Sequence, residues 1–207
     1  MPSSEQKTKA YVYPFIAFMA LMLIEGMASK FGFKYNHRDS SWWRTHPEYL
    51  MMLLQIFVCL PMFIYWRKVY QWHAGTMPMV KSIGLAVVAG LVGIGFWILP
   101  THLYDVLNLG EAGADPKWYK WLGLAKRDEG FDGAVFQDSP GIYWFAIVAR
   151  FFRAVVVVAL VEEIFWRGFL MRFLIKPDGN YWKVPFGQAS WLSWAIVTGA
   201  FTLAHAQ

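Results

Sequence analysis

The stretch FFRAVVVVALVEEIFWRGFLMRFLI, residues 151–175, decides the fold of this chain. It is long and apolar enough to cross a lipid bilayer as a helix, which takes about 20 residues. Near its centre stand two adjacent glutamates, Glu162 and Glu163, followed by Arg167. A charge in the middle of a span costs about 2.5–3.5 kcal/mol on insertion, so residues that persist there are candidates for function.

The rest of the chain has the composition of a membrane protein. Of its 207 residues 57% are hydrophobic and 16% are charged, whereas soluble domains carry about 25% charge. The sequence therefore predicts an all-α fold, a polytopic transmembrane helical bundle that forms a single membrane domain over residues 1–207. The predicted spans are about 11–29, 49–66, 82–100, 141–176 and 190–207, and a long polar loop covers 101–140.

Three features of this organisation stay open at the level of sequence. The fourth span is too long for one straight crossing, so it either tilts and projects from the membrane or breaks near Arg150. Residues 115–126 of the polar loop predict either a short helix at the interface or a plain surface loop. Lys and Arg divide nine to eight between the two sides of the membrane, so the positive-inside rule leaves the orientation undecided.

The two glutamates have different surroundings in the helical pattern. Glu163 stands four residues before Arg167, the favourable order for an intrahelical ion pair. Glu162 has Trp166 at that distance, so we expect burial and the neighbouring negative charge to raise its proton affinity. A carboxylate of that kind suits a general base. The alternative is a structural ion-pair cluster between helices.

The last predicted span adds FTLAH, residues 201–205, in which Phe201 and His205 lie on one helix face. Glu162 lies 14 residues before Lys176, and His205 lies 15 residues after Ser190, which is expected to cap that span. In an antiparallel hairpin both positions are about 21–22 Å from the turn. The spacing therefore predicts that the acid and the imidazole lie at one depth in the bilayer.

At EEIFWR (162–167) and FTLAH (201–205) the chain resembles the CPBP family of membrane proteins, which includes the CAAX prenyl endopeptidases. The family motifs Glu-Glu-x-x-x-Arg and Phe-x-x-x-His match residue for residue. The string at 161–175 also looks like that of a bacterial CAAX-protease-related subgroup associated with exosortase sorting systems. The match covers about 141–207.

The resemblance implies a glutamate-dependent intramembrane endopeptidase. It makes Glu162 the base that activates a water, His205 its partner, and Glu163 and Arg167 the pair that holds the site, with Phe201 as packing support. It implies a substrate that is a membrane-associated or sorting-signal-bearing protein. It also implies a multi-pass protein of the bacterial cytoplasmic membrane, surrounded by lipids.

Two alternatives from other classes remain open. One is a non-catalytic CPBP-type membrane scaffold or immunity protein, and the other is a proton-coupled transporter that uses the buried carboxylate. The family's last motif would follow Gln207, so we expect a longer natural protein and an inactive 207-residue form.

The residues also argue against a nucleic-acid partner, a disulfide framework and a metal site. The basic residues are scattered between apolar segments, so we expect no nucleic-acid partner. The single cysteine, Cys59, permits no disulfide, and one His with carboxylates is a poor zinc set, so we expect neither a metal nor another cofactor. Arg150 and Arg153 share a face and are expected to extend toward lipid headgroups.

Overall fold

The computed structural model describes residues 2–30, 47–70, 77–106, 136, 139–178 and 181–205. Over these residues the fold consists of helices joined by turns, with no strand, which confirms the prediction of an all-α polytopic bundle. The five main helices are α1 (Ser4–Lys30), α2 (Pro47–Trp66), α3 (Met79–Val106), α4 (Pro140–Ile175) and α5 (Trp191–His205). A 3₁₀ turn, Tyr181–Lys183, lies between α4 and α5.

Helices α1 to α4 are each long and apolar enough to cross a membrane, and α5 is a shorter apolar helix. The predicted helix at 115–126 and nearly all of the polar loop lie outside the described residues. The chain divides into two compact units. One comprises Met1–Trp72 and Asp132–Val197, and the other comprises His73–Phe131 and Thr198–Gln207.

The first unit is built from α1, α2 and α4. Its buried side chains on α2 recur at helical spacing, which gives α2 one continuous packing face. On α4 a similar row faces the other two helices. Inside a membrane such packing is stabilised by close van der Waals contact, because lipid already surrounds the outer faces with apolar groups. The two rows are Met52, Ile56, Cys59 and Phe63 on α2, and Val157, Val161, Ile164 and Gly168 on α4.

Helix α4 continues through Arg150, so the break considered at that position is absent. Its hydrogen bonding instead changes to the wider π pattern at Arg153–Val158 and again at Glu163–Leu170, with the α-helical turn Ala159–Glu162 between them. Insertions of π geometry re-aim the side chains that follow and are frequent at functional sites. The second one begins at the second glutamate.

The start of α5 shows a reciprocal capping box. The Ser193 amide donates to Oγ of Ser190 at 3.1 Å, and the Ser190 amide donates to Oγ of Ser193 at 2.8 Å. The cap predicted at Ser190 is therefore formed.

In the second unit, the described side chains of α3 are exposed along the helix. Its apolar window, Met79–Phe96, has the length and hydropathy of a span. Exposed apolar side chains of this kind fit a lipid-facing surface.

Candidate active site

Helix α4 presents the residues of the first motif on the face that α1 and α2 leave open. Val161 and Ile164, each 1% exposed, point into the core of the first unit. Arg167, three residues after Ile164, is exposed. The last residue of the motif, Arg167, is therefore not covered by α1 or α2.

The ion pair predicted from the spacing is formed. Nη1 of Arg167 donates to Oε1 of Glu163 at 3.2 Å. The Arg167 side chain stays 61% exposed and that of Glu163 35%, so neither partner of the pair is fully buried. In water such a pair contributes only about 0.3–0.5 kcal/mol. Within a bilayer the pairing avoids leaving two isolated charges in lipid, which is far more costly.

The adjacent Glu162 has a different position. It is half-buried and is the last residue of the α-helical turn that precedes the π segment. Glu163 is the first residue of that segment and points its carboxylate along the helix to Arg167. The two adjacent glutamates thus belong to helical segments with different hydrogen bonding.

Aromatic packing from α1 supports the helix just before Arg167. The rings of Phe15 and Phe165 stack with centroids 3.8 Å apart, and Trp166 meets Phe15 edge-on at 5.5 Å. These rings hold α1 against the segment that carries the motif.

The close contact between α1 and α4 requires a glycine at position 168, next to Arg167. A Cβ atom placed on Gly168 would lie 2.7 Å from two ring carbons of Tyr11 and 3.2 Å from the Phe186 ring. Distances below 3.0 Å force a shift of the neighbour. Gly168 therefore sets how closely α1 approaches the motif.

The second motif lies on α5. Phe201 is half-buried, and His205 is the last residue of the helix, with its side chain outside the described part. The predicted pairing of His205 with Glu162 therefore stays a prediction.

Sequence reasoning missed a polar contact between α2 and α4. Gln55 is fully buried, and its Oε1 accepts a hydrogen bond from Nε of Arg153 at 2.5 Å. The Arg153 guanidinium also lies 5.6 Å from the ring of Phe18. Arg153 thus makes an interhelical contact instead of extending to lipid headgroups, whereas Arg150 is exposed. The signal available in the sequence was a glutamine in the middle of an apolar run.

Arg172 was the second residue missed. It is 1% exposed, and its guanidinium lies 5.7 Å from the Trp182 ring and 5.3 Å from that of Phe186. Such cation–π contacts stabilise a desolvated guanidinium by about 2 kcal/mol. Arg172 therefore holds the chain after α4 against the end of that helix.

Within the part of the chain that the structure describes, no group of three or more His, Cys, Asp or Glu side chains could hold a metal ion. The expectation of a metal-free site comes from the sequence, and inhibition by a chelator would be the test of it.

Comparison with known families identifies the region that carries both motifs. Residues 144–207 match the Rce1-like type II CAAX prenyl endopeptidases. Over these residues the chain is similar to the CAAX prenyl endopeptidase family. The match includes α4 from its second turn, all of α5 and every candidate site residue. Searches of curated proteins and of solved structures gave no match.

The family is one of proteases, and with the apolar helices it supports an integral, multi-pass membrane protease. The CPBP resemblance is confirmed at this level. The family match does not extend to the substrate, the mechanism, a bacterial origin or the exosortase association.

Proposed function

We propose that the protein is an intramembrane endopeptidase in which Glu162 and His205 activate a water molecule for attack on a peptide carbonyl. Glu163 and Arg167 hold the site in place, and Phe201 supports the helix that carries His205. No metal ion takes part.

The observation that supports this most is the Glu163–Arg167 pair on the open face of α4, within the region that matches the protease family. The ion pair gives the Glu163 carboxylate a structural role. A role for the adjacent carboxylate in proton transfer follows from the motif and from the half-buried position of Glu162.

The proposed reaction is a hydrolysis. The Glu162 carboxylate accepts a proton from water, and the hydroxide formed adds to the scissile carbonyl carbon. When the C–N bond breaks, the leaving nitrogen takes that proton and departs as an amine. His205 orients the water and stabilises the negative charge on the carbonyl oxygen. A positioned general base contributes about 10²–10⁴-fold to such a rate.

The proposed substrate is a membrane-associated protein cleaved near a lipidated or sorting-signal C-terminus. The family's name refers to prenylated CAAX sequences, so a farnesylated CAAX peptide is the first substrate to test. We further propose that the protein resides in a bacterial cytoplasmic membrane and belongs to the subgroup associated with exosortase systems.

The experiment uses the full-length protein in liposomes with the farnesylated peptide, and mass spectrometry detects the released C-terminal fragment. We expect Glu162→Gln and His205→Ala each to lose at least 100-fold in rate. Glu5→Gln is the matched control. Glu5 is exposed in the first turn of α1, and its carboxylate forms an ion pair with Lys9, away from the motif residues in the sequence. This variant should keep full activity.

The same variants separate the alternatives. A scaffold would bind its partners normally after loss of either Glu162 or His205 and would release no fragment. A transporter would show proton-linked flux that Glu162→Gln abolishes, with no cleavage. Fragment release at the normal rate by Glu162→Gln would contradict the proposed function.

A further inference from the structure

Three helix ends meet at one end of the first unit. Oη of Tyr70, just beyond α2, donates to the carbonyl of Ala10 in the first turns of α1 at 3.0 Å. Burial raises the pKa of the Tyr70 hydroxyl, so it remains a neutral donor. Thr8 and Tyr181 join their hydroxyls at 2.8 Å, which brings the turn after α4 to the same place. The start of α1 and the ends of α2 and α4 therefore share one level.

The buried Arg172 helps to fix this arrangement. It binds between the Trp182 and Phe186 rings, on the segment that follows α4. Tyr181 also packs edge-on against Phe173 at 5.7 Å. The turn Tyr181–Lys183 is therefore held against the ends of α1 and α4 and does not hang freely in solvent.

The outer side of this end is positively charged. Among the described residues it carries six exposed or half-exposed basic side chains and two acidic ones, Glu5 and Asp178, which leaves a net charge of +4. We name the six residues the basic end surface. They are Lys7, Lys9, Arg67, Lys68, Lys176 and Lys183.

At the opposite end, the described side chains include Arg150 and Arg153 together with Glu25 and Glu48, and α1 ends at Lys30.

Aromatic rings mark the membrane boundary just inside the basic end surface. Tyr13 and Trp66 contact each other with centroids 6.2 Å apart, and Tyr65 lies 5.6 Å from Trp66. Tyr65 is 78% exposed. Tyr and Trp prefer the headgroup level of a bilayer. Arg67 and Lys68, the next residues along the chain, are therefore at the level of lipid phosphates.

We propose that the basic end surface binds anionic phospholipid headgroups. Each Lys or Arg near an anionic membrane surface gains favourable electrostatic energy. The inference is independent of the peptidase proposal, since it uses none of the motif residues.

The test measures lipid binding by the purified full chain in a neutral detergent. Dihexanoyl phosphatidylglycerol, which is anionic, and dihexanoyl phosphatidylcholine, which is zwitterionic, are titrated while the melting temperature is followed. We expect the anionic lipid alone to raise it, with an effect that falls at high salt. The double variant Lys176→Gln/Lys183→Gln should bind the anionic lipid about 25-fold more weakly, at about fivefold per lysine.

The matched control is Arg150→Gln, which removes a positive charge from the opposite end. It should respond to the anionic lipid like the wild type. An equal response to both lipids, or unchanged binding by the double variant, would overturn the proposal.

Discussion

Replacing Gly168 by alanine should loosen the contact between α1 and the motif-bearing segment of α4. The new Cβ would lie 2.7 Å from two ring carbons of Tyr11, which is 1% exposed and packed within the first unit. Carbon atoms pack at about 3.5–4.0 Å, so the ring or the helix must move by about 1 Å. Such overpacking costs about 1–3 kcal/mol, whereas alanine gains about 1 kcal/mol in helix propensity.

The net effect expected for Gly168→Ala is a loss of up to about 2 kcal/mol in the free energy of unfolding. Gly26→Ala is the control, because a Cβ on Gly26 in α1 would have no neighbour within 4 Å. Unfolding would be followed by circular dichroism as SDS is added to mixed micelles. The two variants should differ by about 1–3 kcal/mol.

A double-mutant cycle with Tyr11→Ala identifies the origin of the loss. Without the Tyr11 ring, Gly168→Ala should cost little, so the two substitutions should couple. Equal stability of Gly168→Ala and Gly26→Ala, or an additive cycle, would refute the claim that this contact is tight.

Three further predictions concern the site and its support. Glu163→Gln and Arg167→Ala should each lower both stability and turnover, because each leaves a charge in the bilayer without its partner; thermal melts and peptide cleavage would measure both effects. Gln55→Leu should destabilise the fold by about 1–3 kcal/mol, since it removes the acceptor for Arg153; a wild-type melting temperature would contradict this. A strong chelator should leave peptide cleavage unchanged, and inhibition reversed by added zinc would show that prediction wrong.

Local patterns account for what the sequence predicted. Long apolar runs specify helices that cross a bilayer, because every backbone polar group there must be paired within its own segment. The Glu163–Arg167 pair depends only on residues one turn apart. The Ser190 cap is equally local. These features could be predicted without knowing how the helices pack.

The contacts that were missed depend on which helix faces meet. Gln55 and Arg153 are 98 residues apart, and their pairing follows from the rotation of α2 and α4 about their axes. The place of Arg172 depends on how the chain folds back after α4. The π segments of α4 also shift its register, so a uniform 100° per residue misplaces the side chains beyond Glu163.

The central claim is that Glu162 and His205 act on one water molecule, and a double-mutant cycle in kcat/KM tests it most directly. The full-length protein, Glu162→Gln, His205→Ala and the double variant would be compared on the farnesylated peptide. If the two residues work as a unit, the double variant should be about as slow as the slower single variant. Losses that multiply in the double variant would show that the residues act independently and would contradict the account.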